Sequence, residues 1–196
     1  MRLRRLSVTL TSLAFLAAAC TSENDAASTP APHPRPVVDS APYICKLVPE
    51  QAFRLVSGVT EPLMEKTYGG ESSGECQDPD ASLPPLIVTW LWAGEGTSQE
   101  HLDYLLDSRR QLYSRYDGTT LPTDLGKGWA AYLSTSALPD PLYRVSAKFR
   151  CDGKDRMIDI YLAQVAEGRD AIKDMIELMR IAQKRYGELY GCTPGT

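Results

Sequence analysis

Residues 143–165 read YRVSAKFRCDGKDRMIDIYLAQV, and the alternation within them decides the fold. Tyr143, Val145, Ala147, Phe149 and Cys151 take every second position, with Arg144, Ser146, Lys148 and Arg150 between them. Neighbouring side chains of a strand point to opposite faces, so this pattern predicts a half-buried strand with Cys151 on its apolar side. Asp152-Gly153 is hairpin-turn chemistry. Residues 157–165 then return as a second strand on which Ile158, Ile160 and Leu162 share a face. Downstream, 169–190 carries Ile172, Met175, Ile176, Met179 and Ala182 at helical spacing, an apolar stripe that needs a surface to cover. Laid on the inner face of the hairpin, that helix brings Cys192 within reach of the inward Cys151.

Working back toward the N-terminus, Leu86–Trp92 is rich in β-branched and aromatic residues and lies between Pro84-Pro85 and Gly94, the pattern of a strand. Its two faces are Leu86, Val88, Trp90 and Trp92 against Ile87, Thr89 and Leu91, so both are largely apolar. Thr97-Ser98-Gln99-Glu100 reads as a capping box. It opens a helix that runs through Leu102, Leu105, Leu106, Leu112 and Tyr113 to Tyr116 and ends at Asp117-Gly118. A shorter helix is predicted over 49–56, started by proline, stopped by Gly58, with Ala52, Phe53 and Val56 on one side. The elements predict one α+β domain over 43–193, a two-layer sandwich with a mainly antiparallel sheet and helices packed on one face.

The first residues read as an export signal. Arg2, Arg4 and Arg5 precede an apolar run that is too short and too diluted by Ser and Thr to span a bilayer. Leu16-Ala17-Ala18-Ala19-Cys20 resembles a bacterial lipobox, which implies removal of 1–19 and acylation of Cys20 as an anchor in the outer leaflet of the cell membrane. Residues 21–42, TSENDAASTPAPHPRPVVDSAP, follow as a proline-rich linker that lifts the domain off the membrane, and its His33 has no second metal ligand nearby. Removing 1–19 takes away three arginines and no acid, leaving 177 of the 196 residues and moving the formal charge from −4 to −7. A chain that acidic is a poor nucleic-acid binder, and an anionic bilayer repels it, so the anchor must hold it there.

With Cys20 assigned to lipid, Cys45, Cys76, Cys151 and Cys192 remain, an even number that in an exported chain implies two disulfides with three connectivities open. Sequential pairing, Cys45 with Cys76 and Cys151 with Cys192, closes two loops of moderate length, and the second bridge agrees with the helix-on-hairpin packing. No cysteine has the spacing of a zinc site, and no motif calls for a cofactor.

These features together resemble a family of secreted actinobacterial lipoproteins of unknown function. That family has a C-x-L-[LV]-[PT] opening into a short helix ended by Gly, here Cys45-Lys46-Leu47-Val48-Pro49 closed by Ser57-Gly58. Cys76, the strand 86–92, Leu125-Gly126-Lys127-Gly128-Trp129-Ala130 and the last helix fill the family's later slots, so the resemblance covers about residues 45–192. The chain departs from the pattern in its extra pair Cys151 and Cys192 and in having no aromatic residue soon after Cys76. No catalytic residue transfers.

The candidate chemistry is thin. Gly70-Glu71-Ser72-Ser73-Gly74 matches G-x-S-x-G, yet its flanks are neither a buried strand nor a helix, and the domain's one histidine, His101, sits at the start of a helix. Asp78 and Asp80 with Asp152 and Asp155 lack calcium-loop spacing, and Gly126-Lys127-Gly128 is too short for a phosphate loop. The expectation is therefore a non-enzymatic surface lipoprotein that binds an envelope protein or a small ligand. An exported hydrolase or peptidoglycan-processing enzyme, or a lipid carrier, stands as the rival. The expected binding surface is the open sheet face carrying Arg144, Lys148 and Arg150 with Asp159 and Tyr161, together with Trp90 and Trp92 if they point outward.

Overall fold

The structure is a computed structural model, described here for residues 34–94, 96–134 and 142–195. The signal 1–19, Cys20 and the linker up to His33 lie outside the described residues.

The predicted hairpin forms the centre of the molecule. Among the described residues nine strands and three α-helices follow in chain order. They are β1 (Tyr43–Ile44), β2 (Val48–Pro49), α1 (Glu50–Ser57), β3 (Lys66–Gly69), β4 (Ser73–Gln77), β5 (Leu86–Trp92), α2 (Gln99–Ser114), β6 (Thr119–Thr120), β7 (Lys127–Tyr132), β8 (Tyr143–Cys151), β9 (Lys154–Leu162) and α3 (Ala171–Tyr190). Seven strands make one antiparallel sheet in the order β3-β4-β5-β9-β8-β7-β6, and β1-β2 is a separate ribbon. The α+β class and the antiparallel sheet are as the alternation predicts.

Register fixes which side chains share a face. Val145 pairs with Ile160 and Ala147 with Ile158, while β5 places Val88 against Ile160 and Trp90 against Ile158. This face is fully buried under α3, whose Met175, Leu178, Met179 and Tyr186 reach it together with Phe53 and Val56 of α1. The expectation of helices on one face holds for α1 and α3, and α2 lies across the other. Its stripe, Leu102, Leu106 and Tyr113, is buried there, Tyr113 in a small cluster with Ala131 and Leu133. Helical periodicity says that a stripe is covered without saying by which side of the sheet, and β7 to β9 offer Trp129, Ala131 and Met157 on that second side.

Local signals shift by a residue or two. Ser98, not Thr97, caps α2, its hydroxyl accepting from the His101 backbone N–H at 3.2 Å. Gly126-Lys127-Gly128 leads straight into a full strand, Lys127–Tyr132. Asp170 caps α3, and Gly191 ends it in the left-handed region.

Candidate functional site

The residues expected to form one binding surface are divided between two faces. Trp90 and Trp92 share the α3 side: Trp90 is buried, and Trp92 packs edge-on to Tyr190 with centroids 5.9 Å apart and holds the Arg156 guanidinium at 4.5 Å. Arg144, Lys148, Arg150 and Tyr161 lie on the α2 side, which is not open at that point. Lys148 is clamped between Asp103 of α2 and Asp155, the latter at 2.8 Å. Arg144 sits 5.2 Å over the Tyr161 ring, and Arg150 donates to the Gly153 carbonyl at 2.5 Å. Most of this expected positive patch is thus tied into the fold.

The part of the second face that α2 leaves uncovered is β3 to β5, and it forms a groove of 370 Å³. Its floor is two parallel rows set by register. Tyr68, Glu75, Thr89, Asp159 and Ser146 stand directly opposite one another across five strands. Beside them Ser73, Leu91 and Met157 form the next row. Leu105 and Arg109 of α2 close one side. The apolar second face of Leu86–Trp92 is therefore the signal for this groove, and Arg109 is the residue that sequence reasoning did not find.

The polar row continues under α2 as a buried network. Asp159 is 5 % exposed; it accepts from Thr89 Oγ1 at 3.0 Å and, through a shorter bond, from the Ser146 hydroxyl. A hydroxyl has one proton, so with Ser146 donating to Asp159 the Tyr113 hydroxyl, 2.9 Å from Ser146 Oγ, must be the donor to Ser146. Burial, reinforced by the Asp159 charge, pushes the Tyr113 and Tyr161 phenols well above their ordinary values, which keeps both neutral. Arg109 Nε lies 3.5 Å from Asp159 Oδ1, is buried and makes no hydrogen bond. The pair's attraction outweighs the cost of burying the guanidinium and raises its pKa further, so Arg109 is a permanent cation. Among the described residues Asp159 is the acid paired with Arg109, while Glu75, half-buried one strand beyond Thr89, forms neither a hydrogen bond nor an ion pair.

No family model, curated protein or solved structure matches the chain.

The remaining sequence candidates resolve into packing. Gly70-Glu71-Ser72-Ser73-Gly74 is the tight β3–β4 hairpin, strand on both sides, with Gly70 N–H donating to the Ser73 carbonyl at 2.8 Å. Its glycines serve Trp90: the indole N–H donates to the Gly70 carbonyl at 2.9 Å, and a Cβ on Gly74 would stand 2.3 Å from the ring. His101 is exposed on α2, stacked near Tyr104. Asp78 caps its own turn through the Asp80 N–H, and Asp155 is occupied by Lys148 and Gln99. Cys45 is joined to Cys76 and Cys151 to Cys192, with Cα separations of 5.6 and 5.5 Å. Glu65 approaches the first bridge but accepts from the Cys45 N–H at 2.6 Å, and both sulfurs there are already bonded.

A larger hollow of 820 Å³ lies between residues 35–40 and α1. Its central cation, Arg54, is spent on Glu50 and on the carbonyls of Val59 and Glu61. The groove is where polar groups converge with their bonding capacity unmet, and it is the better candidate site.

Proposed function

We propose that the protein is a non-enzymatic, lipid-anchored protein of the outer face of the cell membrane that binds a ligand or partner in the groove beside α2. The observation that carries this reading is the groove itself: a floor of one polar and one largely apolar row, with the Glu75 carboxylate unpaired in the first and Arg109 of α2 at its side. The lipobox-like stretch ending in Cys20 and the resemblance to actinobacterial lipoproteins support the location, with the acyl chains as the membrane contact and no role for nucleic acid. No described helix is long and apolar enough to cross a membrane, so the reading assigns attachment to the lipid.

Two experiments test it. Replacing Cys20 by Ala is expected to release the protein from the membrane fraction or to leave it as uncleaved precursor; a mature-sized variant retained on the membrane overturns the anchor. A photo-crosslinking amino acid at Tyr68, on the groove, is expected to give adducts on intact cells that the same residue at Tyr104, exposed on the far side of α2, does not. Equal adducts from both positions, or none from either, overturn the binding groove.

A further inference from the structure

The two rows of the groove floor define the chemistry of what would fit. Glu75 and Asp159 are two strands apart on one face, with Thr89 between them, a distance of about 10 Å at the usual strand spacing. Arg109 sits on the Asp159 end, its Nε 3.5 Å from that carboxylate and its side chain partly exposed on the groove wall. A cation fixed at one end in a planar fork suits a carboxylate, and an unpaired carboxylate at the other end suits an ammonium. The adjoining row, Leu91 and Met157 with Leu105 above it, is apolar and accepts side chains. A ligand meeting all these demands carries a negative and a positive group about 10 Å apart on a backbone with apolar branches. Three extended residues span about this length.

Resting on the groove as a binding site, we infer that its ligand is a short peptide of about three residues with free termini and apolar side chains, its C-terminal carboxylate on Arg109 and its N-terminal ammonium on Glu75. The peptide lies across β4 and β5, from Glu75 past Thr89 to Arg109 at the α2 wall, with its side chains toward Leu91 and Leu105. An isolated anion would meet the uncompensated charge of Glu75, and an isolated cation would leave Arg109 unfilled, so neither matches the groove alone.

Titration calorimetry of the full chain with trileucine, N-acetyl-trileucine, trileucine amide and trialanine tests the inference. Trileucine is expected to bind, and blocking either terminus is expected to weaken binding by about tenfold or more, the loss of one charge-assisted contact. Trialanine is expected to be weaker than trileucine. The expected variants are selective: Arg109→Gln erases the preference for the free acid over the amide, and Glu75→Gln erases the preference for the free amine over the acetylated peptide. Arg109→Lys, which keeps the charge that faces Asp159, separates loss of the fork from loss of folding, as does near-UV circular dichroism of each variant. Capped and free peptides binding alike overturns the inference, as does affinity unchanged in folded Glu75→Gln and Arg109→Gln. Absence of trileucine binding at millimolar concentration overturns it too. If crosslinks from Tyr68 persist on cells in that last case, the groove still binds something else; if they are lost as well, the binding reading falls with it.

Discussion

At the scale of single residues, Asp159 is the position on which most depends. Its carboxylate serves Thr89, Ser146 and Arg109 at once and through the buried Ser146 orders the buried Tyr113. Removing it leaves the half-buried Arg109 guanidinium and the Thr89 and Ser146 hydroxyls without their shared partner. Asp159→Ala is therefore expected to cost about 3 kcal/mol or more in urea unfolding. Asp159→Asn keeps an acceptor oxygen and is expected to cost less. The joint replacement Asp159→Leu with Arg109→Met is expected to recover much of the loss, since a neutral packed pair replaces a desolvated ionic one. A double variant less stable than Asp159→Ala would show that the network holds α2 by something other than charge balance. The sequence makes Asp159 and Tyr161 legible as neighbours of Arg144 and Lys148 on one face of the hairpin, because period-two alternation and a tight turn need no further tertiary information. Arg109 was not legible: it reaches the site from another element, and nothing local to α2 says which side of the sheet it covers.

Among the elements, legibility follows periodicity and burial. The hairpin of β8 and β9, β5, α2 and α3 all carry a sustained apolar pattern and are read to within a few residues. The strands β3 and β4 are short and largely polar, carry two glycines with a third, Gly70, in the turn between them, and take their place from pairing to β5. Gly74 shows why such a segment is fixed only in context. Gly74→Ala would drive a methyl group into the Trp90 indole, so it is expected to displace the ring, break its bond to Gly70 and shift tryptophan emission to the red; emission and unfolding midpoint unchanged from wild type would refute that packing role. The docking of α2 has its own signature in pH. Lys148, its side chain 10 % exposed, joins Asp103 of α2 to Asp155 of β9. The bond to Lys148 holds Asp103 below the ordinary carboxylate range; burial pushes Asp155 up, but bonds from Lys148 and Gln99 outweigh it and bring it below as well. Burial pulls Lys148 down, and its two acids more than reverse this. Carboxylates depressed in the fold add stability above about pH 4 that is lost as pH falls through their folded values, and a raised lysine adds stability below about pH 10 that is lost as pH rises through its folded value. Lys148→Met is accordingly expected to cost about 1–2 kcal/mol near pH 7, moderated because Asp103 is more than half exposed, and to flatten both limbs of the stability profile. Parallel profiles for wild type and variant would remove Lys148 as the clamp.

Over the whole molecule, the two disulfides divide the labour of closure unequally although their loops are alike. Sequence separations of 31 and 41 give nearly the same chain-entropy stabilisation, about 4 kcal/mol each, so loop length does not rank them. What each bridge ties together does. Cys45 lies in the turn between β1 and β2 and Cys76 in the middle of the sheet's second strand, both buried at 3 % and 0 % exposure. This bond is the covalent link between the N-terminal ribbon with α1 and the seven-stranded sheet. Cys192 follows the end of α3, and its bridge to Cys151 fixes a short tail whose Gly195 exchanges backbone hydrogen bonds with Arg150 at 2.8 and 3.0 Å. Replacing Cys45 and Cys76 together by Ala is therefore expected to lower amide protection over Tyr43–Ser57 as a unit, because that unit then keeps only non-covalent contacts, apolar packing on α3 and the sheet and a few hydrogen bonds such as those from Ala166 N–H and Gln164 to the Val56 and Ser57 carbonyls. Replacing Cys151 and Cys192 together is expected to expose the amides of Arg150 and residues 192–195 and to leave Tyr43–Ser57 protected. Native-state hydrogen exchange reads both outcomes residue by residue. The same loss of protection in both double variants would mean that the bridges act through the unfolded chain alone, and the separate structural role assigned to Cys45–Cys76 would be wrong.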